Sequence, residues 1–198
     1  MGRRQEPSAL SLMSKFVTTT AIVIKKRRQK EGDLLITLFT HNLGKINCIA
    51  KGAQSLKSRR LGHLEIGSLV KASLYEKNSY YWLSETESIS SFLHTSSSLS
   101  QINLLFYFLE IVNTLLPVEQ NQPELYQIIV KVVEAISLNH FSILIQQEIL
   151  FLEKLGYGIP QEISTGFKNK DYKNTQLLIK KFCESIIEKP LKSSTLFH

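Results

Sequence analysis

Cysteine is scarce in this chain, and its two cysteines lie far apart. Cys48 and Cys183 form no CxxC pair, so the sequence shows neither a disulfide framework nor a zinc-ligand cluster. Cys48 stands in an alternating apolar run, and Cys183 stands in a helical one. We therefore expect both to be small buried residues in a reducing compartment.

Long apolar runs are also missing. The longest, "LLFYFL" at 104–109, ends at Glu110, whereas a membrane-spanning helix needs ~18 apolar residues or more. Residues 1–15 contain two arginines but no apolar core of the kind that a signal peptide has. These absences predict a cytoplasmic protein, associated with the nucleoid if its partner is DNA.

Familiar catalytic motifs are absent as well. The sequence contains no GxSxG, no HExxH and no phosphate-binding GxxxxGK[ST] loop. Glu85 and Glu87 would share one strand face and could hold a metal, and His63 and Glu65 have the same spacing. With no His or Asp nearby, a solvated strand face is the better explanation for Glu85 and Glu87, and a lone pair such as His63 and Glu65 is a weak signal. We therefore predict that the chain has no active site, no metal and no cofactor.

Positive charge is abundant, and it is concentrated in one half. The chain has 24 Lys and Arg against 17 Asp and Glu, a net charge of +7. Residues 1–90 hold 15 of the basic residues and 7 of the acidic ones, whereas residues 91–198 hold 9 and 10. This asymmetry indicates an anionic partner, such as nucleic acid, for the first half. A basic surface that only maintains solubility is the alternative.

The first half has the periodicity of short strands. Strand-like runs fall at 18–29, 33–40, 45–51, 68–77 and 80–89, and "HNLGK" at 41–45 is typical of a hairpin turn. In the third run Ile46, Cys48 and Ala50 share one face and alternate with Lys45, Asn47, Ile49 and Lys51, which predicts a strand. Five is the number of strands in an OB-fold barrel.

The second half is helical in period. Apolar stripes predict helices at 99–117, 123–138, 142–160 and 175–188, with a polar loop at 161–174. The predicted fold is therefore α+β. It has a flexible lead-in at 1–15, an OB-fold nucleic-acid-binding domain at 16–94 and an α-helical protein-interaction domain at 95–198.

The cations of the first half form three groups that a small barrel could bring onto one face. They are predicted to bind nucleic-acid phosphates without reading sequence, although lysines also protect strand edges from aggregation. The groups are Lys25, Lys26, Arg27 and Arg28 at the end of the first strand, Lys45 and Lys51 on one face of the third, and Lys57, Arg59 and Arg60 in the loop that follows.

Two further sets of residues could bind partners. Tyr75, Tyr80, Tyr81 and Trp82 could stack on single-stranded bases, or they could form the core and cross-strand pairs of a hairpin. Lys180 and Lys181, on the last predicted helix, could receive an acidic, hydrophobic peptide, or they could lie on a solvated face.

The order of motifs resembles the RecO family of DNA repair and recombination mediators. The segment "AIVIKKRRQKEGDLLITLFTHNLGKINCIAKGAQSLKSRRLGHLEIGSLV" is similar to that family's N-terminal domain. "LEKLGYGI" at 152–159 and "KPLKSSTLF" at 189–197 are similar to its C-terminal signatures. The resemblance covers residues 18–198.

The resemblance implies an OB-fold followed by a helical domain, and a protein that binds single- and double-stranded DNA and anneals complementary strands. It also implies three protein partners: RecR, the C-terminal tail of the single-stranded DNA-binding protein and, indirectly, the RecA recombinase that is loaded. It would place Lys51 and the loop at 57–60 on the DNA-facing surface.

Two departures from the family pattern change what we expect. Many relatives carry a four-cysteine zinc site after the "LGY" motif, whereas "GIPQEISTGFKNKDY" has no cysteine, so zinc should be absent. The family often has arginines before the glutamate of the third helix, where this chain has Gln146 and Gln147. This predicts a weaker or shifted pocket for the acidic tail.

Two other functions remain open from the residues alone. One is a metal-dependent nuclease that uses Glu85, Glu87 or His63, and the other is an RNA-binding OB-fold module. Cleavage assays with metal, and binding to matched DNA and RNA strands, distinguish them from a DNA-binding adaptor.

Overall fold

Apolar alternation builds five strands in the first half of the chain. The computed structural model describes residues 16–55, 62–77, 79–92 and 98–193, and the strands are β1 (Phe16–Arg28), β2 (Leu34–Thr40), β3 (Gly44–Ala50), β4 (Leu69–Lys77) and β5 (Tyr80–Ser90). They close into a barrel in the order β1-β2-β3-β5-β4. Only the β3–β5 pair is parallel. This is the predicted five-stranded OB-fold barrel.

The barrel interior is filled by every second side chain of its strands. Ile46, Cys48 and Ala50 of β3 are buried as predicted, and so are Val70 and Ala72 of β4. Cys48 is a free thiol, as is Cys183 in the helical half. The predicted role of both cysteines as small buried residues is therefore confirmed.

Five helices follow the barrel in the described part of the chain. They are α1 (Leu99–Leu115), α2 (Pro123–Ser137), α3 (Phe141–Lys154), α4 (Gln161–Lys168) and α5 (Tyr172–Ile187). Ser98 caps α1 by accepting a hydrogen bond from the Gln101 backbone N–H at 3.2 Å. None of the helices in the described ranges is long and apolar enough to cross a membrane.

Helix α4 corrects the prediction of a polar loop at 161–174. Its sequence, QEISTGFK, is short and buries only Ile163 fully, so it lacks the apolar stripe that marks the other helices. Gly166 also lowers its intrinsic helix propensity. The glycine lets α4 approach α5 closely, since a Cβ at Gly166 would lie 2.6 Å from the Thr175 hydroxyl. Packing against α5 therefore stabilises a helix that propensity alone does not predict.

The two halves pack directly against each other. Ile22, Ile24 and Phe39 lie on the outside of the barrel and belong to the same buried cluster as the apolar faces of the helices. The predicted boundary at 94–95 falls outside the described residues, as does the lead-in at 1–15, so the domain limits stay predictions. The outer face of β1, β2 and β3 that the helices leave open contains the candidate site.

Candidate nucleic-acid interface

A β-bulge in β1 decides which cations face outwards. Val23 pairs with Leu38 and Lys25 pairs with Thr37, so Ile24 is an extra residue in the β1–β2 ladder. Val23 points into the barrel, and without the bulge Lys25 would point the same way. One inserted residue reverses the alternation of side chains. Lys25 and Arg27 therefore point outwards beside Leu35 and Thr37 of β2.

These cations border an open groove across the outer faces of β1, β2 and β3, which we call the outer groove. Its volume is about 820 Å³. Thr37 and Asn47 meet across its floor, where the Thr37 hydroxyl donates to the Asn47 side-chain oxygen at 2.8 Å. The lining residues are Lys25, Arg27, Gln29, Lys30, Glu31, Asp33, Leu35, Thr37, Asn47, Ile49, Tyr80 and Asn113.

One end of the outer groove is fixed by the loop that follows β3. The Gly52 backbone N–H donates to the Asp33 carboxylate at 2.7 Å, and the Gln54 side-chain amide donates to the Gln29 carbonyl at 2.9 Å. The same amide also donates to the Asp33 carbonyl. These bonds hold the exposed Lys51 beside the end of the groove. The bond from Gly52 also engages one oxygen of the Asp33 carboxylate, a group that would otherwise repel an anion.

The aromatic residues of the last hairpin divide between packing and exposure. Tyr75 and Trp82 face each other across β4 and β5, stacked with ring centroids 6.3 Å apart, so they form the cross-strand pair that was one of the two alternatives. Tyr81 packs against the barrel core. Tyr80 is 63% exposed and lines the outer groove. Tyr80 is therefore the aromatic residue of this hairpin that is available for base stacking there.

Of six other predicted cations, three are described and three lie outside the described residues. The Lys26 ammonium forms an ion pair with Glu65 at 2.8 Å, which accounts for its charge locally. Arg28 and Lys51 are exposed. Lys57, Arg59 and Arg60 lie outside the described residues, and their predicted contact with DNA stays a prediction.

Lys45 is buried against a helix, whereas its strand position predicted an exposed lysine on the DNA-facing surface. Its residue is buried, and its ammonium donates to the Asn113 carbonyl of α1 at 2.7 Å. Its own carbonyl accepts from the Glu119 backbone N–H at 2.8 Å. Burial lowers the pKa of Lys45. The alternation that put Lys45 outside the barrel was correct, but a helix covers that part of the face, so we leave Lys45 out of the proposed DNA surface.

Electrostatics make the β1 side of the groove a crowded basic wall. The pKa of Lys25 is lowered first by its partial burial and then by the neighbouring charges of Arg27 and Lys192. Like charges held this close favour an anion that neutralises them. The groove also contains Glu31, so the positive charge lies on its β1 wall and not across the whole groove.

Sequence reasoning missed most of the groove floor. Asn47 and Ile49 could have been found, because they alternate with the buried residues of β3. Leu35 and Thr37 of β2 could not, because their run is apolar on both sides. The bulge at Ile24 left no signal in the sequence.

The residues of the helical half that bear on a peptide pocket differ in their exposure. Gln146 is exposed, whereas Gln147 is buried and its side-chain oxygen has no hydrogen-bond partner among the described residues. Lys180 is partly buried and Lys181 is exposed on α5. A peptide site at Lys180 and Lys181 stays a prediction.

Metal ligands are not clustered in the part of the chain that the structure describes. No group of three or more His, Cys, Asp and Glu side chains there could hold a metal ion. The His63 ring instead contacts the Thr86 carbonyl of β5 through Nδ1, at 3.0 Å.

Comparison with known proteins assigns the barrel. The family model described as "Recombination protein O N terminal" matches residues 13–92. The barrel half of this chain is therefore similar in sequence to the RecO N-terminal domain. Its closed five-stranded architecture is the OB-fold of that domain.

Curated relatives named "DNA repair protein RecO" extend the similarity into the helical half. The protein from Clostridium novyi is 34% identical over 113 residues, which are 57% of this chain and 44% of the relative. The protein from Dehalococcoides mccartyi is 30% identical over 141 residues, 70% of this chain and 56% of the relative. A Thermoanaerobacter protein is 27% identical over 150 residues, 74% and 60%. The chain thus spans about half the length of these RecO relatives.

Proposed function

We propose that this chain is a non-enzymatic, DNA-binding recombination mediator that holds single strands in the outer groove. One observation carries the proposal: the bulge at Ile24 turns Lys25 and Arg27 outwards on a surface that also presents Tyr80. β1 and β5 flank β2 and β3 in the barrel order. A strand crossing the groove would therefore meet cations on one side and an aromatic ring on the other.

This arrangement has the chemistry of a single-strand site. Lys25 and Arg27 would pair with phosphates, which adds affinity without reading sequence. Tyr80 would stack on a base, beside the apolar surface of Leu35 and Ile49. Duplex DNA would be held by its backbone alone, on the same cations.

Fluorescence anisotropy with a labelled 20-nucleotide strand tests the groove. We expect the plot of log affinity against log salt concentration to have a slope of about −0.7 per phosphate contacted. K25A/R27A, which removes two contacts, should therefore make the slope shallower by about 1.4. Y80A should weaken binding by about 1–3 kcal/mol with an unchanged slope, and Y80F should bind like the wild type.

The matched control is K131A/K173A, which removes two exposed lysines from the helical half. It should leave both affinity and slope unchanged. If K25A/R27A binds with the wild-type slope, the outer groove is not the DNA site. Tighter binding to matched RNA, or cleavage of DNA in Mg²⁺ or Mn²⁺, would favour the RNA-binding or nuclease alternative instead.

Annealing is the activity that we propose for the basic surface as a whole. Two complementary strands repel each other, and cations that contact only phosphates can hold both while their base edges remain free. The loop containing Lys57, Arg59 and Arg60 adds three such cations. We expect K57E/R59E/R60E to abolish annealing in a fluorescence-quenching assay. The melting temperature should stay close to that of the wild type, because surface substitutions usually change stability by no more than ~0.5 kcal/mol. A triple variant that melts normally and anneals at the wild-type rate would remove this loop from the mechanism.

The near-neutral helical half is proposed to bind proteins. Family resemblance supports RecR and the acidic tail of the single-stranded DNA-binding protein as partners, with RecA loaded as the result. Titration of a tail peptide against wild type and K180A/K181A tests the peptide site, and loss of affinity in the variant is expected. Equal affinity would place the peptide elsewhere.

A further inference from the structure

A second groove, which we call the junction groove, lies where the barrel meets the helices. Its volume is about 540 Å³, and it lies between the end of β1, helix α1 and the segment that follows α5. That segment contributes Lys189 and Lys192, whose residues are both exposed. The barrel contributes Lys25 and Arg27. Four cations from two distant parts of the sequence therefore border one groove.

The junction groove and the outer groove share a wall. Lys25, Arg27 and Asn113 line both of them. The two grooves are thus neighbouring parts of one basic surface, with the β1 cations between them. An anion that left the outer groove past Lys25 and Arg27 would therefore reach the junction groove.

Glu110 of α1 holds the C-terminal segment in place. Its carboxylate oxygens accept backbone N–H groups from Lys192 and Ser193, each at 2.9 Å. Burial of Glu110 would raise its pKa, but the hydrogen bonds from Ser193 and Lys192 outweigh burial and lower it. Leu191, which precedes them, is buried, and its backbone N–H donates to the Glu184 carboxylate at 3.2 Å. The segment is therefore fixed by its backbone, which directs its lysines to a defined position.

Charge in the groove is crowded. The charges of Arg27 and Lys192 both lower the pKa of Lys25, after the effect of burial. Cations from β1 and from the C-terminal segment are thus close enough to repel each other. Repulsion of this kind is relieved when an anion lies between the charges.

We propose that the junction groove is a second phosphate-binding site, in which a DNA strand continues from the outer groove onto Lys189 and Lys192. This inference rests on the proposed function, because it extends the path of the same strand. DNA explains the shared wall better than an acidic peptide does, since one continuous polyanion neutralises the cations of both grooves. Glu110 is a positioning residue in this scheme and does not contact DNA.

Strand length provides the test, with the full chain and fluorescently labelled oligothymidine. A 6-nucleotide strand can occupy the outer groove alone, whereas a 20-nucleotide strand can reach both grooves. We expect K189A/K192A to leave the affinity for the short strand unchanged. For the long strand it should make the log–log salt slope shallower by about 1.4, the contribution of two phosphates. K131A/K173A should have no effect on either strand.

The E110Q variant gives an independent test, because net charge and positioning predict opposite changes in DNA affinity. Removing a negative charge beside a DNA path should strengthen binding if only net charge matters. If Glu110 positions the C-terminal segment, E110Q should weaken binding to the long strand and leave the short strand unaffected. Stronger binding of the long strand by E110Q would overturn the positioning role.

The outcomes separate this inference from the proposed function. If K25A/R27A weakens DNA binding but K189A/K192A keeps the wild-type slope on the long strand, the second site is wrong and the outer groove stands. If the wild-type chain binds neither strand, the proposed function fails first. If K189A/K192A loses only the binding of an acidic decapeptide, the groove receives a protein segment and the DNA path is overturned.

Discussion

Glu148 provides a test of the helical core that depends on pH. It lies on α3 with an exposed fraction of 3%, and its Oε1 accepts a 3.3 Å hydrogen bond from the Gln176 side chain of α5. Its Oε2 has no partner among the described residues. Burial raises the pKa of Glu148 to about 8, and the bond from Gln176 only partly offsets this effect. The folded protein therefore keeps a proton on Glu148 at neutral pH.

The sign of the pH dependence follows from proton binding. An unfolded chain releases this proton near the ordinary pKa of 4.5, whereas the folded chain holds it until about pH 8. Between these values the folded state binds one more proton, so stability must fall as pH rises. The slope is at most ~1.4 kcal/mol per pH unit, which gives about 4 kcal/mol between pH 5 and pH 8.

The neighbouring groups do not confuse this titration. Tyr107 and Cys183 face Glu148, and burial is the main reason that the pKa of each is raised, to about 12 for Cys183. Both keep their protons across the range measured. Of these three buried groups, Glu148 is therefore the one whose charge changes between pH 5 and pH 8.

E148Q isolates the effect, because an amide has the shape of a protonated carboxyl and does not titrate. We expect wild type and E148Q to have similar unfolding free energies at pH 5. By pH 8 the variant should be more stable by about 3–4 kcal/mol. Urea denaturation followed by far-UV circular dichroism at both pH values measures the difference. The exposed E134Q on α2 is the control and should follow the wild type. If the difference between wild type and E148Q changes by less than ~0.5 kcal/mol over this range, the buried proton is not there.

Two further predictions concern the contact between barrel and helices. K45M should cost about 1–3 kcal/mol of stability, since it leaves the Asn113 carbonyl without its buried donor. The salt dependence of DNA binding should stay that of the wild type. A changed salt dependence with normal stability would return Lys45 to the DNA surface. G44A should be far more destabilising than G32A in urea denaturation. Both glycines have positive φ, +69° and +78°. A Cβ at Gly44 would clash with the Gln120 carbonyl oxygen, whereas a Cβ at Gly32 would have no atom within 4 Å. Equal costs for the two variants would show that the connection between α1 and α2 does not press on this turn.

Periodicity predicted the architecture because the barrel and the longer helices each bury one regular face. The alternation around Cys48 placed β3 with the correct side inwards, and the stripe in 123–138 placed α2. Helix α4 was missed because only Ile163 of its eight residues is buried, so the contact with Thr175 that stabilises it is tertiary and leaves no pattern. Regular burial is visible in a sequence, whereas a single close approach between two segments is not.

The site was less predictable than the fold, and the four cations at 25–28 show why. Their charge indicates an anionic partner, but charge does not say which way a side chain points. Lys26 pairs with Glu65, 39 residues further on, while Lys25 and Arg27 face the groove. One extra residue in a ladder, Ile24, determines that division, and its position depends on how β1 pairs with β2. A basic run in a strand therefore predicts a partner, and only the register of that strand predicts the surface that the partner meets.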